Sequence, residues 1–179
     1  NTRREKLTTF IKKNKKKLLI AIILIVLSII SFLVYNELKK RNEIKISENY
    51  NISIIQYKSG NTQQSVDNLK NLIGKKHKTY SILAFYFLLD NNLITSESEI
   101  NSYFDLIINK INLENELKNL VIYKKALFNA ETADENTLLS ILNPLFKSDS
   151  VWSSHGQLLL AQYFLEKKEK QKAKEFLEK

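Results

Sequence analysis

Composition and charge narrow the range of folds and functions open to this chain. Its 179 residues include three glycines, one proline and no cysteine, so helix breakers are scarce and disulfide bonds and thiolate metal sites are excluded. The formal net charge of +9 is concentrated at the N-terminus, where residues 1–17 carry eight Lys or Arg and one Glu. The remainder is close to neutral and shows no basic stripe, so we expect no binding of nucleic acid.

An apolar run without charge begins at Leu18 and ends at Tyr35. Its 18 residues would form a helix about 27 Å long, close to the thickness of the hydrocarbon core of a bilayer. The run is apolar on all sides, whereas a core helix of a globular protein usually has a polar stripe. It predicts a transmembrane helix over residues 18–35 in contact with the lipid bilayer. A buried core helix and a cleaved signal peptide are the alternatives, and no small-residue cleavage site follows the run.

Positive charges flank this run unequally. Eight Lys or Arg precede it, and four follow it within residues 39–45. Because basic flanks are retained in the cytoplasm, we expect a basic cytoplasmic head over residues 1–17 and a body, residues 36–179, outside the cytoplasm. The basic residues would also meet anionic headgroups. A nucleic-acid or nuclear-localisation patch is the less favoured interpretation.

The helix of the membrane run is expected to continue into the body. No glycine or proline occurs between Leu18 and Ser59. We therefore expect one helix of about 40 residues, roughly 60 Å long, which ends at Gly60 in the left-handed conformation. A second helix is predicted over residues 62–73, with Gly74 at its end.

The next part of the sequence predicts three further helices. Residues 80–89 are apolar on all sides, which is typical of a buried central helix. A capping box at Ser96 and Glu99 should open the following helix, and a second capping box at Thr132 and Glu135 should open a later one.

The last helices contain one breaker and one serine cap. Pro144 should kink or shorten its helix, and Ser148 or Ser150 should cap the next one. Apolar or long side chains recur at helical spacing in five successive helices: Ile100, Tyr103, Phe104, Ile107, Ile108 and Ile111; Leu113, Leu117, Leu120, Val121, Lys124, Leu127 and Phe128; Leu138, Ile141, Leu142, Leu145 and Phe146; Trp152, Leu158, Leu159, Ala161, Phe164 and Leu165; Ala173, Phe176 and Leu177.

The predicted helices form four antiparallel pairs that start near residues 43, 79, 114 and 151. This period of about 36 residues is close to the 34 of tetratricopeptide repeats. Small residues stand twelve positions apart in two pairs, at Ser53 and Ser65 and at Ala161 and Ala173, where the helices of such a repeat approach closely. We predict an all-α chain with an N-terminal transmembrane helix and a tetratricopeptide-like α-solenoid of about four hairpins. An irregular helical bundle is the alternative.

Several segments resemble one family of membrane proteins. They are Arg4-Glu5-Lys6-Leu7 with Phe10, the apolar run, Tyr57-Lys58-Ser59-Gly60-Asn61, the stretch from Leu142 through Pro144 to Trp152, and Leu159-Leu160-Ala161. With this layout the chain resembles the membrane-anchored tetratricopeptide-like family of ancillary SecYEG translocon subunits, which also carries the cell division coordinator (CpoB-type) repeat domain. The resemblance implies a bacterial inner-membrane protein with a periplasmic body. It also implies protein partners: translocon subunits, periplasmic chaperones or envelope proteins.

The sequence offers little that points to catalysis. The histidines His77 and His155 lie in different helix pairs, and the glycine-rich phosphate loops and the GxSxG motif are absent. We therefore expect a protein that is not an enzyme and that has no cofactor and no metal site. A membrane-anchored enzyme with its catalytic part elsewhere is one alternative.

Five tyrosines on the predicted first helices of the pairs are candidate partner-binding residues. They are Tyr50, Tyr57, Tyr86, Tyr123 and Tyr163. Solenoids bind peptides along the face that the first helices form, so some of these rings would receive client segments. Simple packing between helices is the alternative for each of them.

The expected function is a non-enzymatic, inner-membrane-anchored adaptor with a periplasmic body. A cytosol-facing scaffold is the main alternative. The sequence lacks methionine and its last helical pattern reaches Lys179, which predicts a piece of a longer protein. The anchor region of a truncated larger protein is therefore another alternative.

Overall fold

The computed structural model describes the backbone of residues 2–178 and, within that range, all side chains except those of residues 2–7, 11 and 21. The described residues form eight α-helices and no strand, which confirms the all-helical prediction. The helices are α1 Thr2–Lys58, α2 Thr62–Gly74, α3 Tyr80–Asp90, α4 Glu97–Lys110, α5 Asn115–Asn129, α6 Glu135–Phe146, α7 Val151–Glu166 and α8 Lys170–Leu177. The chain divides into two compact units, Asn1–Glu48 and Asn49–Lys179, and the boundary falls within α1.

The first unit contains most of α1. Among the described residues, this helix is the one long and apolar enough to cross a membrane, and none of its most apolar 18-residue window is buried. A helix with this composition and no protein cover is consistent with single-pass anchoring. The backbone stays helical through residues 36–43, where a flexible linker would have contradicted the prediction of a continuous helix.

Helix α1 is interrupted at Asn14, which the sequence analysis did not predict. This residue has φ −110° and ψ 15°, so residues 2–13 and 15–58 are two helical stretches joined at a kink. The side-chain Nδ2 of Asn14 donates a hydrogen bond of 3.2 Å to the carbonyl of Phe10. A side chain that inserts into the helical hydrogen-bond ladder in this way is a common cause of a kink.

Residues in the left-handed conformation mark several helix ends. Gly60 has φ +88°, as predicted for the residue that ends α1. Gly74 is the last residue of α2, as predicted, and the residue with positive φ after it is Lys76, at +57°. The N–H groups of Lys75 and Lys76 bond to the carbonyls of Leu72 and Ile73 at 3.1 Å, so the helix end is satisfied without a left-handed glycine.

Side-chain caps open α4 and α6. Ser96 accepts a hydrogen bond from the N–H of Glu99 at 3.3 Å, which confirms the first predicted cap. The second capping residue is Asp134, which accepts from the N–H of Thr137 at 2.7 Å. The prediction of Thr132 was wrong, because its N–H bonds to the carbonyl of Asn129 in the preceding turn. Accepting the Thr137 N–H lowers the pKa of the Asp134 carboxyl.

Pro144 lies inside α6, and the helix ends two residues later at Phe146. Ser150 then caps α7 by accepting a hydrogen bond from the N–H of Trp152 at 3.2 Å. The second of the two predicted cap positions is therefore the one used, and Ser148 instead donates to the carbonyl of Leu145 at 2.8 Å.

In the second unit, each helix from α2 onward packs against the next, and α5 also packs against α7. The core of α5–α8 consists of buried side chains from all four helices: Ile122, Ala126, Leu138, Leu142, Leu145, Leu159, Leu160, Tyr163, Phe164 and Ala173. Helices α3 and α4 bury Phe85 and Phe104, whose ring centroids are 4.8 Å apart in an edge-to-face arrangement. These buried side chains stabilise the fold because they remove a large apolar area from water.

Small residues lie at the predicted close approaches. Ser53 and Ser65 are fully buried, and the hydroxyl of Ser65 donates to the carbonyl of Ser53 at 2.7 Å. Ala161 and Ala173 are both buried. A Cβ added at the buried Gly156 would lie 3.2 Å from a methyl group of Leu142, so α6 and α7 also approach closely.

Helix α3 is buried on one side rather than all round. Ala84, Phe85 and Leu88 are fully buried, whereas 42% of Leu83 is exposed. The prediction of a wholly buried central helix was therefore wrong for this face. Its apolar side chains are available to line a surface.

A candidate groove between helices α3 and α5

Two of the candidate tyrosines pack between the end of α1 and α3. The ring centroid of Tyr50 lies 5.7 Å from that of Tyr80, and Tyr57 meets Phe87 edge to face at 5.3 Å. Burial raises the pKa of the Tyr50 hydroxyl. Both rings join neighbouring helices, as expected for the packing alternative.

Tyr123 joins α5 to α7. Its ring stacks on Trp152 with centroids 5.6 Å apart, and His155 lies edge-on to it at 5.7 Å. Tyr163 lies deeper, with only 7% of its surface exposed. Its hydroxyl donates to the carbonyl of Ala133 at 3.3 Å, so both the ring and the hydroxyl of Tyr163 make contacts inside the fold.

Tyr86 differs from the other four tyrosines. Its hydroxyl oxygen is buried and has no hydrogen-bond partner among the described residues. The ammonium of Lys124 lies 4.3 Å from the centre of its ring. Burial, and to a lesser extent the charge of Asp90, raises the pKa of the Tyr86 hydroxyl. The group therefore stays protonated at neutral pH and is suited to donate a hydrogen bond rather than to act as a base.

An open cavity of about 220 Å³ is lined in part by Tyr86. We call it the α3–α5 groove; its lining is Tyr86, Leu89 and Asp90 from α3, Phe104 from α4, and Lys124, Leu127 and Phe128 from α5. Most of these side chains are apolar, and one cation, Lys124, and one anion, Asp90, lie among them. A mostly apolar concavity with a few polar groups is the usual form of a binding site.

A second open cavity, of about 550 Å³, lies where α3 and α5 begin. Its lining residues are Lys78, Thr79, Asn112, Leu113, Glu114 and Leu117. The two cavities thus lie near opposite ends of the same two helices. Leu117 is the residue of α5 that lines the second cavity, whose other lining residues precede the two helices.

Helix α5 has two apolar faces. One face packs into the core through Ile122 and Ala126, which are 4% and 0% exposed. The other face carries Leu117, Leu127 and Phe128, which line the two cavities. The stripe predicted from the sequence contains this second face, and 51% of Leu127 is exposed, whereas Val121 of the same stripe is fully buried. The stripe therefore lines a surface at Leu117, Leu127 and Phe128 and is buried at Val121.

A polar network fixes α4 against α2 next to this region. The ammonium of Lys70 lies 2.7 Å from Glu99 Oε1, and the hydroxyl of Tyr103 donates to the same oxygen at 2.9 Å. The hydrogen bond from Lys70 lowers the pKa of Glu99. Burial, followed by the bond to Glu99, raises the pKa of Tyr103 to about 12.

The two histidines have local structural roles. His77 Nδ1 accepts from the N–H groups of Thr79 and Tyr80 at 3.2 Å, just before α3. His155 Nδ1 lies 2.9 Å from the carbonyl of Val151, one turn earlier in α7. Among the described residues, no group of three His, Cys, Asp or Glu side chains is placed to hold a metal ion.

Comparison with protein-family models, curated proteins and solved structures gave no match. The resemblance to translocon-associated tetratricopeptide proteins therefore stays a prediction. Any functional assignment has to come from the geometry of the chain itself.

Tyr86 was a predicted site residue, but the other residues that line its groove were not. Lys124, Leu127 and Phe128 were predicted to share one face of α5, without a role in binding. A signal was present, since α5 also carries Ile122 and Ala126 outside that stripe, which is more apolar surface than one core contact requires.

Proposed function

We propose that this chain is a non-enzymatic, membrane-anchored adaptor that binds other proteins through the α3–α5 groove. The second face of α5 carries the proposal, because its apolar side chains line open cavities. A polypeptide segment with an apolar side chain suits this mostly apolar lining.

The proposed architecture of the second unit is a tetratricopeptide-like solenoid of four hairpins. Helices α3, α5 and α7 start at residues 80, 115 and 151, which keeps the repeat period expected from the sequence. The buried pairs Ser53–Ser65 and Ala161–Ala173 supply close approaches in the first and last hairpins. In such an arrangement the first helices line the binding face, and α3 and α5 are both first helices.

The proposed location is the bacterial inner membrane, with the N-terminus in the cytoplasm and the second unit in the periplasm. The excess of basic residues before the apolar run supports this orientation. The expected partners are translocon subunits, periplasmic chaperones or envelope proteins. Tethering raises the effective concentration of the groove at such a target, so a weak contact suffices.

Site-specific photocrosslinking in intact membranes tests the groove. A photoreactive amino acid replaces Leu127, and a matched variant carries it at Leu158, an exposed leucine of α7 outside both cavities. We expect a discrete crosslinked partner band from position 127 and none from position 158. Equal bands from both positions, or none from either, would contradict the proposal.

Orientation is tested separately with a compartment-specific reporter fused after Lys179. Activity of a reporter that folds only outside the cytoplasm supports the periplasmic placement. Activity of a cytosol-specific reporter would establish the alternative, a scaffold that faces the cytosol.

A further inference from the structure

The kink at Asn14 separates a short basic helix from the long apolar one. Residues 2–13 are helical, residues 15–58 are helical, and Asn14 between them leaves the helical region of φ and ψ. The hydrogen bond from Asn14 Nδ2 to the carbonyl of Phe10 holds this change of direction. The short helix therefore need not follow the axis of the apolar one.

Five lysines lie on either side of the kink, in a stretch of sequence without acidic residues. Lys12, Lys13, Lys15, Lys16 and Lys17 are all exposed. In the sequence, no acidic residue occurs between Glu5 and Glu37. A layer of anionic headgroups would supply the missing negative charge.

An apolar side chain lies just before these lysines. Phe10 is 58% exposed, and the sequence places Leu7 and Ile11 at the spacing that shares its side of a helix. Thr9 falls on the opposite side. Basic residues combined with one apolar side are typical of a helix that lies in the plane of a membrane surface.

Geometry distinguishes a bent head from a straight one. Phe10 precedes Leu18 by eight residues, so a straight helix would hold it about 12 Å outside the hydrocarbon layer. The headgroup region on each side is only about 5–8 Å thick, so the ring would stand in water. A turn at Asn14 instead brings Phe10 to the boundary between headgroups and acyl chains.

We propose that residues 2–13 form an interfacial helix that turns at Asn14 and lies on an anionic bilayer surface, with Phe10 inserted and the lysines on the headgroups. The proposal rests on the membrane anchoring proposed above. A bilayer is favoured over a nucleic acid because Lys17 is followed directly by the apolar run at Leu18.

The experiment measures the depth of single nitroxide labels on the full chain in vesicles. The chain has no cysteine, so single cysteines are introduced cleanly at Phe10, at Thr9 as the matched control, and at Ile25 within the apolar run. Vesicles contain phosphatidylcholine alone or phosphatidylcholine with phosphatidylglycerol. Collision rates with oxygen and with a water-soluble nickel chelate report depth.

In anionic vesicles, we expect the label at position 10 to be shielded from nickel severalfold more than the label at position 9. The difference should shrink in neutral vesicles, and also when the five lysines of residues 12–17 are changed to Gln. Asn14→Ala removes the bond to Phe10 and should raise nickel access at position 10. Equal nickel access at positions 9 and 10 in both lipids would overturn the proposal. Unchanged nickel access at position 10 in Asn14→Ala would show that the hydrogen bond of Asn14 does not hold the helix on the surface.

The label at Ile25 separates this proposal from the proposed anchoring. If position 25 is open to nickel, the chain is not inserted and both ideas fail. If position 25 is shielded while positions 9 and 10 are equally open, only the interfacial helix fails. Binding of a DNA duplex through the lysines, without any response of label depth to anionic lipid, would also overturn it.

Discussion

Helix α5 packs closely on its side toward α7, which we call the closed seam, and leaves space on its side toward α3, the open seam. The contrast shows where the second unit has surface that is not used for packing. Toward α7 the seam is filled, with Tyr123 stacked on Trp152 and Ile122 in a shared core with Leu159. Toward α3 two cavities remain, and the hydroxyl of Tyr86 has no hydrogen-bond partner in the described part of the chain. Apolar side chains that leave open space next to a well-packed core favour a binding role over a purely structural one.

The largest effect is expected from a cavity in the buried core that α5, α6, α7 and α8 share. Leu142 is fully buried in the core of α5–α8, so Leu142→Ala should lower the free energy of unfolding by about 2–5 kcal/mol. Urea unfolding in detergent micelles, followed by the fluorescence of the single tryptophan, Trp152, measures this loss. Leu158→Ala is the control, because Leu158 is 49% exposed and a change of only about 0.5 kcal/mol or less is expected. Equal losses would mean that this core does not determine stability.

Removing a tyrosine hydroxyl should have opposite effects on the two seams. Tyr163→Phe loses the bond to the carbonyl of Ala133 and should lower the free energy of unfolding by about 1 kcal/mol. Tyr86→Phe removes a buried hydroxyl without a partner and should raise it by up to about 1 kcal/mol. The same unfolding measurement compares both variants. A similar loss in both would show that Tyr86 is already satisfied and that the α3 seam is closed.

The smallest effect concerns the polar network beside the groove. Because the hydrogen bond from Lys70 lowers the pKa of Glu99 in the folded chain, its contribution is present above the pKa of an unfolded Glu and is lost as the pH falls through the folded value. Both side chains are about one-third exposed, so solvent screening should keep the contribution below about 1 kcal/mol.

The stability difference between the wild type and Glu99→Gln, measured at neutral pH and again at acid pH, tests this network. The difference should close in acid. Glu97→Gln, on the same helix, serves as the control for a general charge effect. A stability difference that stays constant with pH, or one that Glu97→Gln reproduces, would show that the bond between Lys70 and Glu99 does not stabilise the fold.

Local features were predictable from the sequence because one or two residues determine them. Gly60 suits a left-handed helix end, and Ser96 suits a cap. Thr132 failed as a cap because a neighbouring residue, Asp134, offered an equally good one through its carboxylate. The kink at Asn14 was missed because asparagine is tolerated in a helix.

The groove was beyond sequence reasoning for a different reason. It depends on the distance between α3 and α5. That distance is set by α4, which follows α3 in the chain and packs against both helices. Helical spacing showed that Leu117, Lys124 and Leu127 share a face, but not whether a neighbour covers it. The exposed apolar side chain of Leu83 on α3 was likewise assigned to the interior, since an apolar run alone does not say which face meets water.

The most direct test of the account is partner recovery from solubilised membranes by the wild type, Leu127→Lys and Leu158→Lys. A charge at position 127 enters the α3–α5 groove, whereas the same charge at position 158 lies on an equally exposed surface of α7. The account predicts that Leu127→Lys loses the partner found by crosslinking while Leu158→Lys retains it. Equal recovery by all three proteins would contradict a binding groove between α3 and α5.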